Sequence, residues 1–298
     1  MTALGTERLV DIVATSRVAA TGARFSSTAA ALPGIVVLAL FGVVPLVVLV
    51  VTALGLGATG SGETPGLTLS NITQVFTDTR LRTELVNTLG VGVGSVVIML
   101  VVGIPLTLAM SRPGQGTRTR AFTEIVFTLP IALPGIIVGF FTIILIGRTG
   151  LLAELVPALG GMAYTLPGLL LAYVYFSFPR VVGPLRGVMS SFDHALVDTA
   201  RSLGASRLRA FFTISLPIVL PAVVEVLGTA AAVAIGGYGT IATLSEGLRL
   251  LPLSVADALT NRYSVASSAG LAVVLAALAA ATLAGSRALS RVLERSRA

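Results

Sequence analysis

Few side chains in this sequence could carry out chemistry. There is one histidine, His194, and no cysteine. Disulfides, thiolate metal sites and multi-histidine metal sites are therefore excluded. All 20 basic residues are arginine, which removes both a P-loop lysine and a lysine Schiff base. His194 reads as a solvated loop residue. The ordered spacing lies in Asp193–Pro217, DHALVDTARSLGASRLRAFFTISLP. Asp193 can cap a helix start, and Leu196, Ala200 and Leu203 then form one apolar stripe. Gly204 can end that helix in a left-handed conformation, and Ser206 can cap a second helix running to Pro217. Two short helices with a sharp turn thus display an apolar stripe, and such a stripe implies a partner.

The elements that must position this loop are apolar. Hydrophobic residues make up 55% of 298 and charged residues 11%, far from the roughly 25% charged residues of soluble domains. A spanning helix needs about 20 apolar residues. Six segments qualify: Leu32–Leu56, Leu85–Met110, Ala121–Gly147, Gly160–Pro179, Phe211–Ile235 and Val265–Gly285. With the N-terminus inside, fifteen arginines fall on cytoplasmic segments and five outside, as the positive-inside rule requires. The net charge of +7 reads as that bias and not as a nucleic-acid surface. The fold class is an all-α membrane protein, a polytopic bundle of about six transmembrane helices with both termini cytoplasmic. Gly90 and Gly94 form a GxxxG pair, with Gly92 between them, and predict close helix packing in the second span.

Asp198-Thr199-Ala200, Gly204 and Ile214-x-Leu216-Pro217 resemble the EAA-x3-G-x9-I-x-L-P loop of binding-protein-dependent ABC importer permeases. Asp198 stands for the usual glutamate and Thr199 for the first alanine. Asn87-Thr88-Leu89 resembles the start of that family's permease domain. The resemblance implies a type I importer fold divided into an N-terminal tail (1–31), a first helix and periplasmic loop (32–84), a permease domain (85–290, with its coupling loop at 193–217) and a C-terminal tail (291–298). It implies a loop that docks on a separate ATPase dimer, so that ATP hydrolysis is not this chain's own and no cofactor is needed. Asp198 would pair with a basic group, Ala200 and Leu203 would fill a groove, and Gly204 would permit the turn. The implied partners are that ATPase, a second permease subunit (the same chain or a homologue), a periplasmic or lipid-anchored solute-binding protein, a small charged or polar solute and membrane lipid. The implied location is the bacterial inner membrane.

Four residues are candidates for a translocation path: Asn87, Glu225, Gly237 and Tyr238. Glu225 lies inside the fifth span, where a lone charge costs at least about 2.5–3.5 kcal/mol. It either lines a path or gate, or bonds between helices. Gly236-Gly237-Tyr238-Gly239 predicts a helix break and resembles a Gly-acid-aromatic-Gly stretch of the sulfate, molybdate, polyamine, thiamine and phosphonate branches, with Gly237 in place of the acid. Pro130 and Pro134 predict a kink in the third span. A secondary transporter or channel remains an alternative, although no internal repeat of the kind common there is visible. An intramembrane enzyme would need a catalytic constellation that the spans do not provide.

Overall fold

The structure, a computed structural model, describes residues 27–57, 66–110, 125, 129–190 and 192–296. Among them every regular element is helical, and six helices are long and apolar enough to cross a membrane. The chain divides into two compact units, Met1–Val48 and Leu49–Ala298. The first unit is α1 (Ser27–Leu38), a π turn (Ala39–Val43) and the start of α2 (Val44–Ala53). Most of the expected N-terminal tail lies outside the described residues.

The second unit continues through α3 (Ser70–Thr77), α4 (Thr79–Ile98), a π turn (Met99–Gly103), α5 (Ile104–Met110), α6 (Gly135–Ile146), α7 (Leu151–Leu155) and α8 (Leu166–Ser190). Then follow α9 (His194–Ser202), α10 (Arg207–Ala210), a π turn (Phe211–Ser215), α11 (Leu216–Gly236), α12 (Tyr238–Leu244), α13 (Leu251–Thr260) and α14 (Val265–Arg295). The π turns have a sequence cause. Each ends two residues before a proline: Pro45, Pro105 and Pro217. A proline ring collides with the carbonyl four residues back, and in all three cases that carbonyl lies inside the widened turn.

Several span boundaries differ from expectation. The fourth span does not stop at Pro179; α8 runs through Pro179 and Pro184 to Ser190. In a bundle, neighbouring helices make an interior proline tolerable. Arg180 and Arg186 therefore lie on the helix and not on a loop. The Arg180 guanidinium folds back over the Phe176 ring, 4.3 Å from its centroid, and donates to the Phe176 carbonyl at 2.7 Å. The last helix likewise continues past Gly285 to Arg295. In the third span, residues 129–132 are helical, the helix breaks at 133–134, and a new helix begins immediately after Pro134, whose carbonyl accepts from Ile137 N at 2.9 Å. In the first part of that segment, 121–124 and 126–128 lie outside the described residues.

Small residues bring the helices together, though not through the expected glycine pair. Gly90 has open space beside it, whereas Gly92 packs against Ile235 and Gly94 against Leu170. Gly92 and Gly94 therefore lie on different sides of α4, the first against α11 and the second against α8. Gly228 of α11 is backed by Ser286 of α14, and Gly270 of α14 by the Asn71 backbone. One buried cluster gathers Val91, Val138, Tyr173, Ala234 and Ile241; another gathers Met99, Phe178, Val223 and Ala230. A third, with Val75, Leu81, Leu251 and Leu271, joins α3, α4, α13 and α14.

Candidate functional site

The 193–217 loop folds as the helical hairpin its sequence specifies. Asp193 Oδ1 accepts from Ala195 N at 2.9 Å, starting α9. Gly204 N donates to the Arg201 carbonyl and Ala205 N to the Ala200 carbonyl, each at 3.0 Å. These are the two bonds of a Schellman stop. Gly204 takes φ +90° with nothing near its missing side chain, so it is the backbone angle, not crowding, that requires glycine. Ser206 Oγ accepts from Arg209 N at 3.2 Å and starts α10, and α9 packs on α10 and on the π turn that follows.

This fixed turn holds apolar side chains in the open. Leu203 is 84% exposed, Leu208 71% and Leu196 47%. Ala200 is half-buried between them, and Asp198 and Thr199 are exposed. Among the described residues no cation pairs with the Asp198 carboxylate. Ile214, Leu216 and Pro217 are half-buried where the hairpin enters the fifth span. The arrangement presents a leucine surface with one free carboxylate beside it, and nothing in it can break a covalent bond.

At the other end of the bundle, three hydrogen bonds tie α4 to the start of α13. Asn87 Nδ2 donates to the Arg249 carbonyl at 2.9 Å. Leu251 N donates to Thr88 Oγ1 at 2.9 Å. Ser254 Oγ donates to the buried Glu84 carboxylate, whose other oxygen meets Arg80 Nε at 3.0 Å. Arg80, Glu84 and Ser254 line a cavity of about 410 Å³ together with Glu246, Arg249 and Asp257. The carboxylates around it are matched: Arg148 pairs with Glu246 at 2.6 Å and Arg262 with Asp257 at 3.1 Å. Sequence reading placed Asn87 as a path residue, but its amide is engaged here. It missed Glu84, Thr88 and Ser254; the one available signal was the Arg80–Glu84 spacing of four at the head of an apolar helix.

The break in the fifth span falls where the glycines predict it. α11 ends at Gly236 and α12 begins at Tyr238. Tyr173, fully buried on α8, donates from its hydroxyl to the Gly237 carbonyl at 2.7 Å. Its ring lies where a Cβ on Gly237 would go, 2.7 Å from the hydroxyl oxygen. Thr240 Oγ1 donates to the Gly135 carbonyl at 3.1 Å, so the start of α6, after the kinked Pro134, leans on the same break. Tyr238 remains 47% exposed. Glu225 has a partner: its Oε1 lies 3.6 Å from Arg287 Nε of α14, with both side chains about half exposed on this chain's surface.

Six apolar helices, one broken at Gly236–Gly237, and a capped apolar hairpin describe a polytopic membrane protein. The chain belongs to the family described as the binding-protein-dependent transport system inner membrane component, whose model matches residues 99–296. It is the permease subunit of an ABC importer and a multi-pass inner-membrane protein. It is 31% identical over 179 residues to the molybdenum transport permease ModB of Escherichia coli K12, covering 58% of this chain and 78% of that one. It is 28% identical to ModB of Mycobacterium tuberculosis over 203 residues, covering 66% and 76%. The probable sulfate permease cysT of Prototheca wickerhamii is 31% identical, covering 44% and 52%. The fold matches a chain of a bacterial alginate ABC transporter with TM-score 0.73 at 15% identity, covering 91% and 95%.

Proposed function

We propose that this permease imports a small tetrahedral oxyanion of the molybdate or sulfate class, and that ATP-driven motion reaches it through the 193–217 hairpin. The observation that carries the coupling half is the rigid, outward-facing leucine surface of Leu196, Leu203 and Leu208 beside the free Asp198 carboxylate. In water such a surface is unfavourable; in a groove of an ATPase subunit it is buried, and Asp198 meets a basic group. Ala200 and Thr199 line the same contact, Gly204 sets its angle, and Ile214, Leu216 and Pro217 carry displacement into the fifth span. The oxyanion half rests on the molybdenum and sulfate relatives.

In this reading both termini are cytoplasmic, a second permease subunit completes the path, and a solute-binding protein delivers the anion to the face that carries Arg80 and Arg249. Tyr238 keeps an exposed side chain that can face the path between two subunits, and Asn87 and Gly237 support it from behind; Glu225 takes its other reading, a bond between helices, to Arg287. The domain limits follow the same scheme, with the permease domain at 85–290.

The test is reconstitution with the cognate ATPase and binding protein in proteoliposomes. ATP-dependent uptake of labelled molybdate or sulfate, uncompeted by thiamine or spermidine, is expected. Uptake of thiamine or a polyamine in its place overturns the substrate class. Failure of the ATPase to co-purify with an intact hairpin overturns the coupling assignment.

A further inference from the structure

The last helix outruns the bilayer. α14 has 31 residues, and at about 1.5 Å per residue it is about 46 Å long, against a hydrocarbon core of about 30 Å. Its small apolar run ends near Gly285, and the turns beyond carry Arg287, Arg291 and Arg295. A spacing of four sets these three guanidinium groups along one flank of the helix. All three residues are exposed. Buried Ser290 marks the face packed inward, and a third flank exposes Leu289 (51%) and Val292 (60%).

Arg287 commits only its Nε to Glu225, at 3.6 Å, which leaves the rest of a rigid donor fork. Among the described residues, Arg291 and Arg295 form no ion pair, and Glu294 is the single acid on these turns. Exposed arginines beside exposed leucine and valine, at the depth where a helix leaves hydrocarbon, form an interfacial surface.

We propose that Arg287 and Arg291 bind the phosphodiester headgroup of an anionic glycerophospholipid. Glu225 holds Arg287 against the bundle, and Arg295 meets a second headgroup one turn further out. Leu289 and Val292 lie along the neighbouring acyl chains. Charge complementarity selects this occupant: two guanidinium forks one turn apart suit a phosphate, which accepts paired N–H bonds. The cytoplasmic orientation of this end comes from the arginine distribution, but the site itself needs only a bilayer boundary at this depth.

The experiment uses the full chain in nanodiscs of phosphatidylcholine containing a minor fraction of spin-labelled phosphatidylglycerol. The immobilised labelled fraction is compared between wild type and variants. Wild type is expected to retain phosphatidylglycerol preferentially. Arg287→Gln with Arg291→Gln lowers that preference by about thirty-fold, on the scale expected for two juxtamembrane charges. The doubly lysine-substituted chain keeps most of it, which separates charge loss from misfolding. Arg82→Gln, at the other end of the bundle, leaves it unchanged. Equal preference in wild type and the double glutamine variant overturns the proposal, as does equal loss in Arg82→Gln. Displacement of the label by millimolar glycerol phosphate assigns the site to soluble phosphate and also overturns it. A reversed topology leaves this readout intact, so failure of the orientation and failure of the site are distinguishable.

Discussion

Tyr173 and Gly237 are fitted to each other. The tyrosine hydroxyl holds the carbonyl of the glycine at 2.7 Å, and its ring fills the volume a side chain at 237 would need. Neither residue can change size alone. Gly237→Ala is expected to cost about 1–3 kcal/mol, the range for overpacking a filled site. Tyr173→Phe, which leaves the carbonyl without its donor, is expected to cost about 1 kcal/mol. Tyr173→Leu combined with Gly237→Ala is expected to cost less than the two single changes together. Thermal unfolding in detergent measures the cycle, and strict additivity removes the claim of mutual fit.

The hairpin separates insertion from assembly. Gly204→Val forces a β-branched residue to φ +90°, a left-handed strain of at least about 1–2 kcal/mol, and opens the Schellman stop. Asp198→Arg places like charge against the basic group proposed to meet it. Both variants are expected to reach the membrane at normal levels, lose transport and recover less ATPase on purification. An acidic substitution in the ATPase groove is expected to restore Asp198→Arg partly and Gly204→Val not at all. Full transport and full ATPase recovery in both variants contradicts the assignment.

Glu84 sits at 1% exposure between two partners. Glu84→Ala leaves the buried Ser254 hydroxyl without its acceptor and opens a cavity, while Arg80, 57% exposed, returns to water, an expected loss of about 2–5 kcal/mol. Ser254→Ala removes one donor from the carboxylate, an expected loss of about 1–3 kcal/mol. The measured order of melting temperatures checks this: wild type highest, then Ser254→Ala, then Glu84→Ala. A Glu84→Ala chain as stable as wild type contradicts the clamp.

The orientation is open to a clean chemical test, because the chain has no native cysteine. Single cysteines at Gly160 and Ser245 are expected to react with an impermeant thiol reagent on intact cells. Cysteines at Ser206 and Ser296 are expected to react only after lysis. Labelling of Ser206 from outside reverses the topology.

What the sequence made legible was local. The caps at Asp193 and Ser206 and the stop at Gly204 are short-range hydrogen-bond chemistry, so residue type and spacing were enough. The break at Gly236–Gly237 was legible for the same reason. The clamp was not: Glu84 and Ser254 are 170 positions apart, and a single sequence carries no signal for such a pair. Tyr173 read as one more apolar residue of the fourth span, because its partner is a backbone carbonyl on another helix. The end of α8 was misplaced by treating Pro179 as it behaves in water. Choosing Gly90 over Gly92 shows the limit of a four-residue pattern, which fixes spacing but not the face that meets a neighbour.

The three proline-linked π turns change where these helices can bend. A widened turn has already given up one set of backbone pairings, so it can exchange bonds four and five residues apart without breaking the rod. The turn at Phe211–Ser215 lies between the hairpin and the packed length of α11, and the turn at Met99–Gly103 lies toward the same end of its own span. Force applied at the hairpin therefore meets a flexible joint before it meets the rigid core. Under the proposed coupling, the span is expected to swing as a jointed lever at a point set by Pro217 rather than to flex along its length.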